Sequence, residues 1–171
     1  MAISLYDVSV ATSIQIVGSM VGVLQKGLDQ LGEAAADELL GYRLKEDMLP
    51  FHFQLNGVRH HSLGSVQGMQ AGLFQPPPSL PRMGYVEFQA FIAETLEQLK
   101  AIDAQEINAL EGKPMLFKMG SVEIPFLCEN FSMSFSIPNL MFHATTAYDV
   151  LRMHGVELGK MDFLGQLRVG H

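Results

Sequence analysis

Residues 4–32 read SLYDVSVATSIQIVGSMVGVLQKGLDQLG, and this stretch decides the fold class. Val10, Ile14, Val17, Val21, Leu24, Leu28 and Leu31 recur at intervals of three and four, which is one apolar face of a long helix. Ser4 and Asp7 ahead of it have the spacing of a capping box, in which the hydroxyl accepts from early helix amides and the acid suits the positive helix end. Gly32 marks the stop, and the small-residue run from Glu33 to Asp37 reads as a break, with a short helical turn from Asp37 to Leu40. No Asp, Glu, Lys or Arg occurs from Val8 to Gln25 or from Asn130 to Tyr148. Both stretches carry serines, threonines or asparagines that a lipid span would tolerate at a cost, so they predict helices buried in protein, not membrane spans. No Lys or Arg precedes Lys26, which argues against a signal peptide.

Working outward, three more long helices are expected. The second starts with Asp47 as N-cap and Pro50 in the first turn, and runs to Gly72. It carries Gly57, Gly64, Gly68 and Gly72, and three of these lie four apart, so they line one side. Tight packing within the chain and a dimer seam at Gly64 and Gly68 are the two readings of that stripe. Gln75 to Pro78 and Pro81 form a stiff connection. The third helix spans Gly84 to Asp103. Residues 115–118 and 121–126 alternate around Met119-Gly120 as a small hairpin. The fourth helix occupies Glu129 to His154, with Pro138 kinking or starting it and Gly155 stopping it. The tail from Val156 lies along the helices, and His171 is expected at a frayed end. The economical architecture is an all-α up-and-down four-helix bundle with one hairpin between helices three and four, a single domain over residues 1–171.

The chain has 171 residues, 48% hydrophobic and 17% charged, with a net charge of −7. That composition supports a continuous core and excludes general disorder. An acidic surface argues against nucleic acid, whose binding needs a basic stripe. The single cysteine, Cys128, can form neither an internal disulfide nor a metal site alone, so a reducing, cytoplasmic setting is the expectation. It reads as a small buried hydrophobe. No dinucleotide fingerprint, phosphate loop, nucleophile elbow or HExxH zinc motif is present.

Chemistry therefore rests on the histidines. His143 and His154 are eleven residues apart, about 16 Å along a helix, and cannot share a metal; His52 and His60 are about 12 Å apart. Adjacent His60 and His61 diverge by about 100°, so one of them at most faces inward. Four positions after His143 stands Ala147, where a helical ligand pair would place its second donor. His154, at the helix C-terminus, suits the negative end of the dipole. The densest polar cluster in an apolar helix is His143, Thr146, Tyr148 and Arg152, with Asp47 and Gln54 seven apart on the second helix as partners. It reads either as a packed polar network or as a small-molecule pocket in which His143 accepts a hydrogen bond or proton and Arg152 anchors an anionic group.

Two runs carry a family resemblance. Leu44-x-x-Asp47-Met48-x-Pro50-x-x-x-Gln54 and Pro138-Asn-x-x-Phe142-His143-x-Thr-Thr-Ala-Tyr148-x-x-Leu151-Arg152, continuing through Gly155 to Gly165, are similar to a branch of the DinB/YfiT-like superfamily, a domain of unknown function numbered nineteen-ninety-three. The resemblance covers nearly the whole chain. It implies a four-helix bundle, often a homodimer, and in some relatives a divalent metal on three histidines serving hydrolysis, thiol-dependent transfer or detoxification. By position His143 matches the first histidine of the fourth-helix pair, and the second falls on Ala147. His52 and His60 are the nearest matches for the second-helix ligand. The sequence thus predicts a small-molecule-binding bundle without an intact three-histidine site, with a Zn, Ni or Mn enzyme using His143, a second-helix histidine and Asp47 as the alternative, and a purely structural dimer as the third reading.

Overall fold

Gly32, at φ 76°, ends the first helix, α1 (Asp7–Leu31), in a backbone conformation that only glycine adopts without strain. At its start Ser4 and Asp7 close the expected box: the Asp7 amide donates to Ser4 Oγ at 3.2 Å, and the Ser4 amide and hydroxyl donate to Asp7 Oδ2 at 3.1 and 2.7 Å. The computed structural model describes residues 3–170, so His171 and its expected frayed end lie outside it. Among the described residues six further helices follow: α2 (Glu33–Leu39), α3 (residues 51–71), α4 (Tyr85–Lys100), α5 (Ala104–Asn108), α6 (residues 128–153) and α7 (Lys160–Leu164). Strands β1 (Leu73–Phe74), β2 (Pro114–Met119) and β3 (Val122–Leu127) form one sheet in that order, β1 parallel and β3 antiparallel to β2. The expected hairpin is β2–β3, and β1 extends it as a third strand.

Core packing follows the helix periodicity. α1 lies against α4, α6 and α7, and α3 lies against α6 and α4. Val10, Val17, Met20, Val23 and Leu24 of α1 are buried among Ile92, Leu99, Leu140, Leu151 and Val58. By length and composition α1 could cross a membrane, yet half of its most apolar window is buried inside the protein.

Several boundaries differ from the sequence reading for local reasons. Ala34, Ala35 and Ala36 are strong helix formers, so residues 33–37 continue as α2 and do not make a break. α3 starts at Phe51 with Pro50 at the N-cap, and Asp47 sits exposed in the turn before it. The first amides of α3 are taken by the preceding loop: Phe51 N donates to Tyr42 O at 2.8 Å and His52 N to Leu40 O at 3.0 Å. No side-chain cap is then needed. Lys100 ends α4, and Asp103 instead caps the short α5, its Oδ1 accepting from Gln105 and Glu106 amides.

Three of the helical segments carry a π-turn, at Asp7–Ala11, His60–Gly64 and Ser132–Ser136, and the three turns pack against one another. A π-turn inserts one residue and disturbs the regular hydrogen-bond ladder. Serines at these turns bond to nearby carbonyls: Ser136 Oγ donates across to His61 O at 2.7 Å, and Ser62 Oγ to Val58 O at 2.7 Å. Pro138 follows the third π-turn, in the first turn of the segment Ile137–Met153, so the irregular turn absorbs its missing N–H and α6 runs on.

The glycine stripe of α3 is used inside the chain. A methyl at Gly57 would lie 2.5–2.7 Å from ring atoms of His143, and one at Gly68 would lie 2.9 Å from Phe74. At Gly64 it would meet His60 Nδ1 at 3.1 Å. Replacing Gly57 with Ala should therefore destabilise the fold by about 1–3 kcal/mol in urea unfolding, as overpacked sites do. Gly22, also helical but with nothing within 4 Å, is the control, where Ala should stabilise by about 0.5–1 kcal/mol.

Candidate functional site

Where α3 and α6 cross, the missing side chain at Gly57 lets the His143 imidazole sit directly on the α3 backbone. One turn earlier, Gln54 is buried, and its Nε2 donates to the Leu49 carbonyl at 2.8 Å. That bond turns Gln54 Oε1 toward His143 Nδ1 at 2.8 Å. An amide oxygen only accepts, so Nδ1 carries the hydrogen and Nε2 keeps its lone pair. Among the described residues His143 Nε2 makes no hydrogen bond.

Two more imidazoles adjoin it. His61 stacks on His143 with centroids 5.5 Å apart and planes 18° apart, and His60 packs 5.2 Å from His61 and 4.4 Å from Phe74. The sequence reading allowed one inward histidine of this pair. The π-turn starting at His60 removes the regular 100° step, and both rings turn in. His60 Nε2 and His61 Nδ1 are buried and have no hydrogen-bond partner among the described residues. Phe74, Phe117, Phe131 and Phe135 form the adjoining wall. His61 was the residue the sequence did not single out, because its role depends on a helix irregularity.

Burial keeps all three rings neutral. It holds His143 at about 4, and it holds His60 at about 4 against an opposing hydrogen bond with the Gln75 backbone. Burial together with its two imidazole neighbours takes His61 to about 3.

The remaining expected site residues lie elsewhere. Thr146 is buried, but its hydroxyl donates back to Phe142 O at 2.8 Å. Tyr148 packs edge-on to Phe163 at 5.8 Å, and Arg152 is exposed and donates to Val156 O at 3.1 Å. Asp47, outside α3, makes no ion pair among the described residues. Of the six residues proposed for the polar pocket, His143 and Gln54 are thus the pair in contact. Thr146 and Arg152 are taken up by nearby backbone carbonyls, Tyr148 by Phe163, and Asp47 precedes a helix that starts only at Phe51. His52 is exposed near Phe88, at a centroid distance of 6.4 Å, on another wall of α3. His154 donates through Nδ1 to Val150 O at 2.8 Å and lies edge-on to Tyr42. Cys128 is buried, and burial raises its pKa first, Glu129 second, which leaves it an unreactive thiol.

Among the described residues no three His, Cys, Asp or Glu side chains are grouped to hold a metal ion. Imidazole binds metal along its own ring plane at about 2.0–2.1 Å, so the near-parallel rings of His61 and His143 do not aim lone pairs at one point.

The buried imidazoles make stability depend on pH in one direction. Unfolded imidazole titrates near 6.5, and the folded rings near 3 to 4. From pH 6.5 downward the unfolded chain therefore binds protons that the folded chain refuses, and stability falls; above 6.5 the contribution is constant. One such group should account for about 1–2 kcal/mol between pH 7 and pH 5. Urea unfolding at those two pH values should show a smaller loss for His143→Gln than for the parent, and an equal loss would contradict the buried neutral rings.

Comparison with known proteins places the chain in a family and supports its fold. The family described as Domain of unknown function (DUF1993) matches residues 5–164. A crystal structure of a DinB family member protein from Shewanella denitrificans superposes with a TM-score of 0.78 at 24% identity, covering 98% of this chain and 95% of that one, which shows the shared fold. No curated protein matches the chain. The chain belongs to the family of Domain of unknown function (DUF1993), with a DinB-like, mostly helical fold.

Proposed function

We propose that this DinB-like chain is an up-and-down four-helix bundle that binds a small molecule between α3 and α6, with His143 Nε2 as the hydrogen-bond acceptor. The observation that carries the reading is the pair of buried, unpartnered imidazole nitrogens beside an imidazole whose tautomer is fixed. A buried polar atom without a partner costs about 1–3 kcal/mol, so a ligand group that hydrogen-bonds there gains what the free protein lacks. A ring held near pKa 4 accepts hydrogen bonds well at pH 7 but is a poor general base, whose best pKa lies near the working pH. This favours binding over proton-transfer catalysis. Thr146, Tyr148, Arg152 and Asp47 belong to a wider pocket only if the ligand draws them in.

The rest of the reading is a cytoplasmic homodimer without nucleic-acid or membrane partners. A net charge of −7 speaks against nucleic acid, and a lone buried cysteine suits a reducing compartment. A seam at Gly64 and Gly68 has little to offer a partner, since both positions face side chains of their own chain. The competing reading is a metal-dependent hydrolase or thiol-dependent transferase, favoured by the same unpartnered nitrogens. It requires His61 or His60 to rotate so that its ring plane meets that of His143 on one Zn, Ni or Mn ion.

Native mass spectrometry with elemental analysis on freshly purified protein separates these readings. The expected result is a copurified organic mass on the parent that is lost in His143→Gln, with no stoichiometric metal. One transition-metal ion per chain would replace the binding reading with the metalloenzyme. Parent and variant both free of any bound mass would contradict it. The same spectrum reports whether the 18.9 kDa chain is paired.

A further inference from the structure

A cavity of about 900 Å³ lies under the proline-rich connection, between the end of α2, the first turns of α3 and the start of α4. Its volume is within the usual range for small-molecule sites. Phe53 and Phe88 supply aromatic walls, and Asn56 a polar point, beneath a roof made by residues 77–84. At one end Asp37 and Glu87 converge. A methyl built on Gly84 would lie 3.3 Å from Asp37 Oδ1 and 3.7 Å from Glu87 Oε2.

Each carboxylate commits one oxygen to the helix start. Asp37 Oδ1 accepts from the Tyr85 amide at 2.6 Å, and Glu87 Oε2 from the Gly84 amide at 2.7 Å. Asp37 Oδ2 and Glu87 Oε1 remain open, and neither acid is in an ion pair among the described residues. The lining holds one permanent cation, Arg82, which is exposed on the roof and pairs with neither acid. His52, on the α3 wall, is exposed but partly desolvated, which lowers its pKa first, with Arg43 second, so it stays mainly neutral at pH 7. The lining therefore combines two open carboxylate oxygens, aromatic faces and a net negative charge.

We propose that this cavity binds a protonated primary amine carried on an aromatic or compact apolar body, the ammonium held between Asp37 and Glu87 and the body against Phe53 and Phe88. Charge-assisted hydrogen bonds to carboxylates are the strong ones, and a ring or cation gains further by packing on aromatic faces. An anion would meet two like charges against one guanidinium. The site is separate from the imidazole cluster, with Phe53 the residue between them, its ring 6.1 Å from that of His143.

Three molecules of one shape and different charge test it by isothermal titration calorimetry: 2-phenylethylamine, 2-phenylethanol and phenylacetate. The amine should bind at least about tenfold more tightly than the alcohol, a margin of about 1.4 kcal/mol, with phenylacetate weakest. In the double variant Asp37→Asn, Glu87→Gln the two backbone amides keep an accepting oxygen, so the fold should persist while the preference for the amine disappears. His143→Gln should leave amine binding unchanged. Equal affinities, a preference for phenylacetate, no heat from the amine at millimolar concentration, or a preference that survives the double variant would each overturn the proposal.

Discussion

The absence of a side chain at Gly57 is the constraint on which the rest of the site depends. Because nothing projects there, the His143 ring rests on the α3 backbone at distances that a methyl group would forbid. Only at that depth can its Nδ1 reach the oxygen of Gln54 and its face lie against His61. The amide of Gln54 is itself fixed from behind by the Leu49 carbonyl. A single line of contacts thus runs from a loop carbonyl through an amide to an imidazole, and it decides which ring nitrogen bears the proton.

The neighbouring imidazoles owe their place to a different irregularity. A regular α-helix would separate His60 and His61 around its axis; the π-turn that begins at His60 brings both toward the Phe74 wall. Such a turn is tolerated because it packs against two others and because Ser136 supplies a donor to the His61 carbonyl. Local backbone cost and buried polar atoms therefore fall at the same place, an arrangement that π-turns frequently mark at functional sites.

Much of this fold could be read from residue spacing. The three-and-four recurrence from Val10 to Leu31, the stop at Gly32 and the alternation around Met119-Gly120 are local patterns, and local patterns survive folding. The pairing of His143 with Gln54 was also accessible, since both are polar residues in apolar helical settings. What the sequence hid was nonlocal or irregular. Asp47 looked like a helix cap, but amides of α3 find carbonyls of the preceding loop instead. Thr146 and Arg152 looked like pocket residues, but each satisfies itself on its own helix end or turn. His61 was passed over because ideal helix geometry gave only one of two adjacent histidines an inward direction. The cavity under residues 77–84 depends on how a proline segment crosses three helices, which no spacing rule describes.

The fixed tautomer of His143 is the centre of this account, and long-range proton–nitrogen NMR of the imidazoles observes it directly across a pH titration. The expected result is a hydrogen on Nδ1, an unprotonated Nε2 at neutral pH, and no second proton until the pH approaches about 4. A hydrogen on Nε2, or titration at the ordinary histidine value of 6.5, would contradict it.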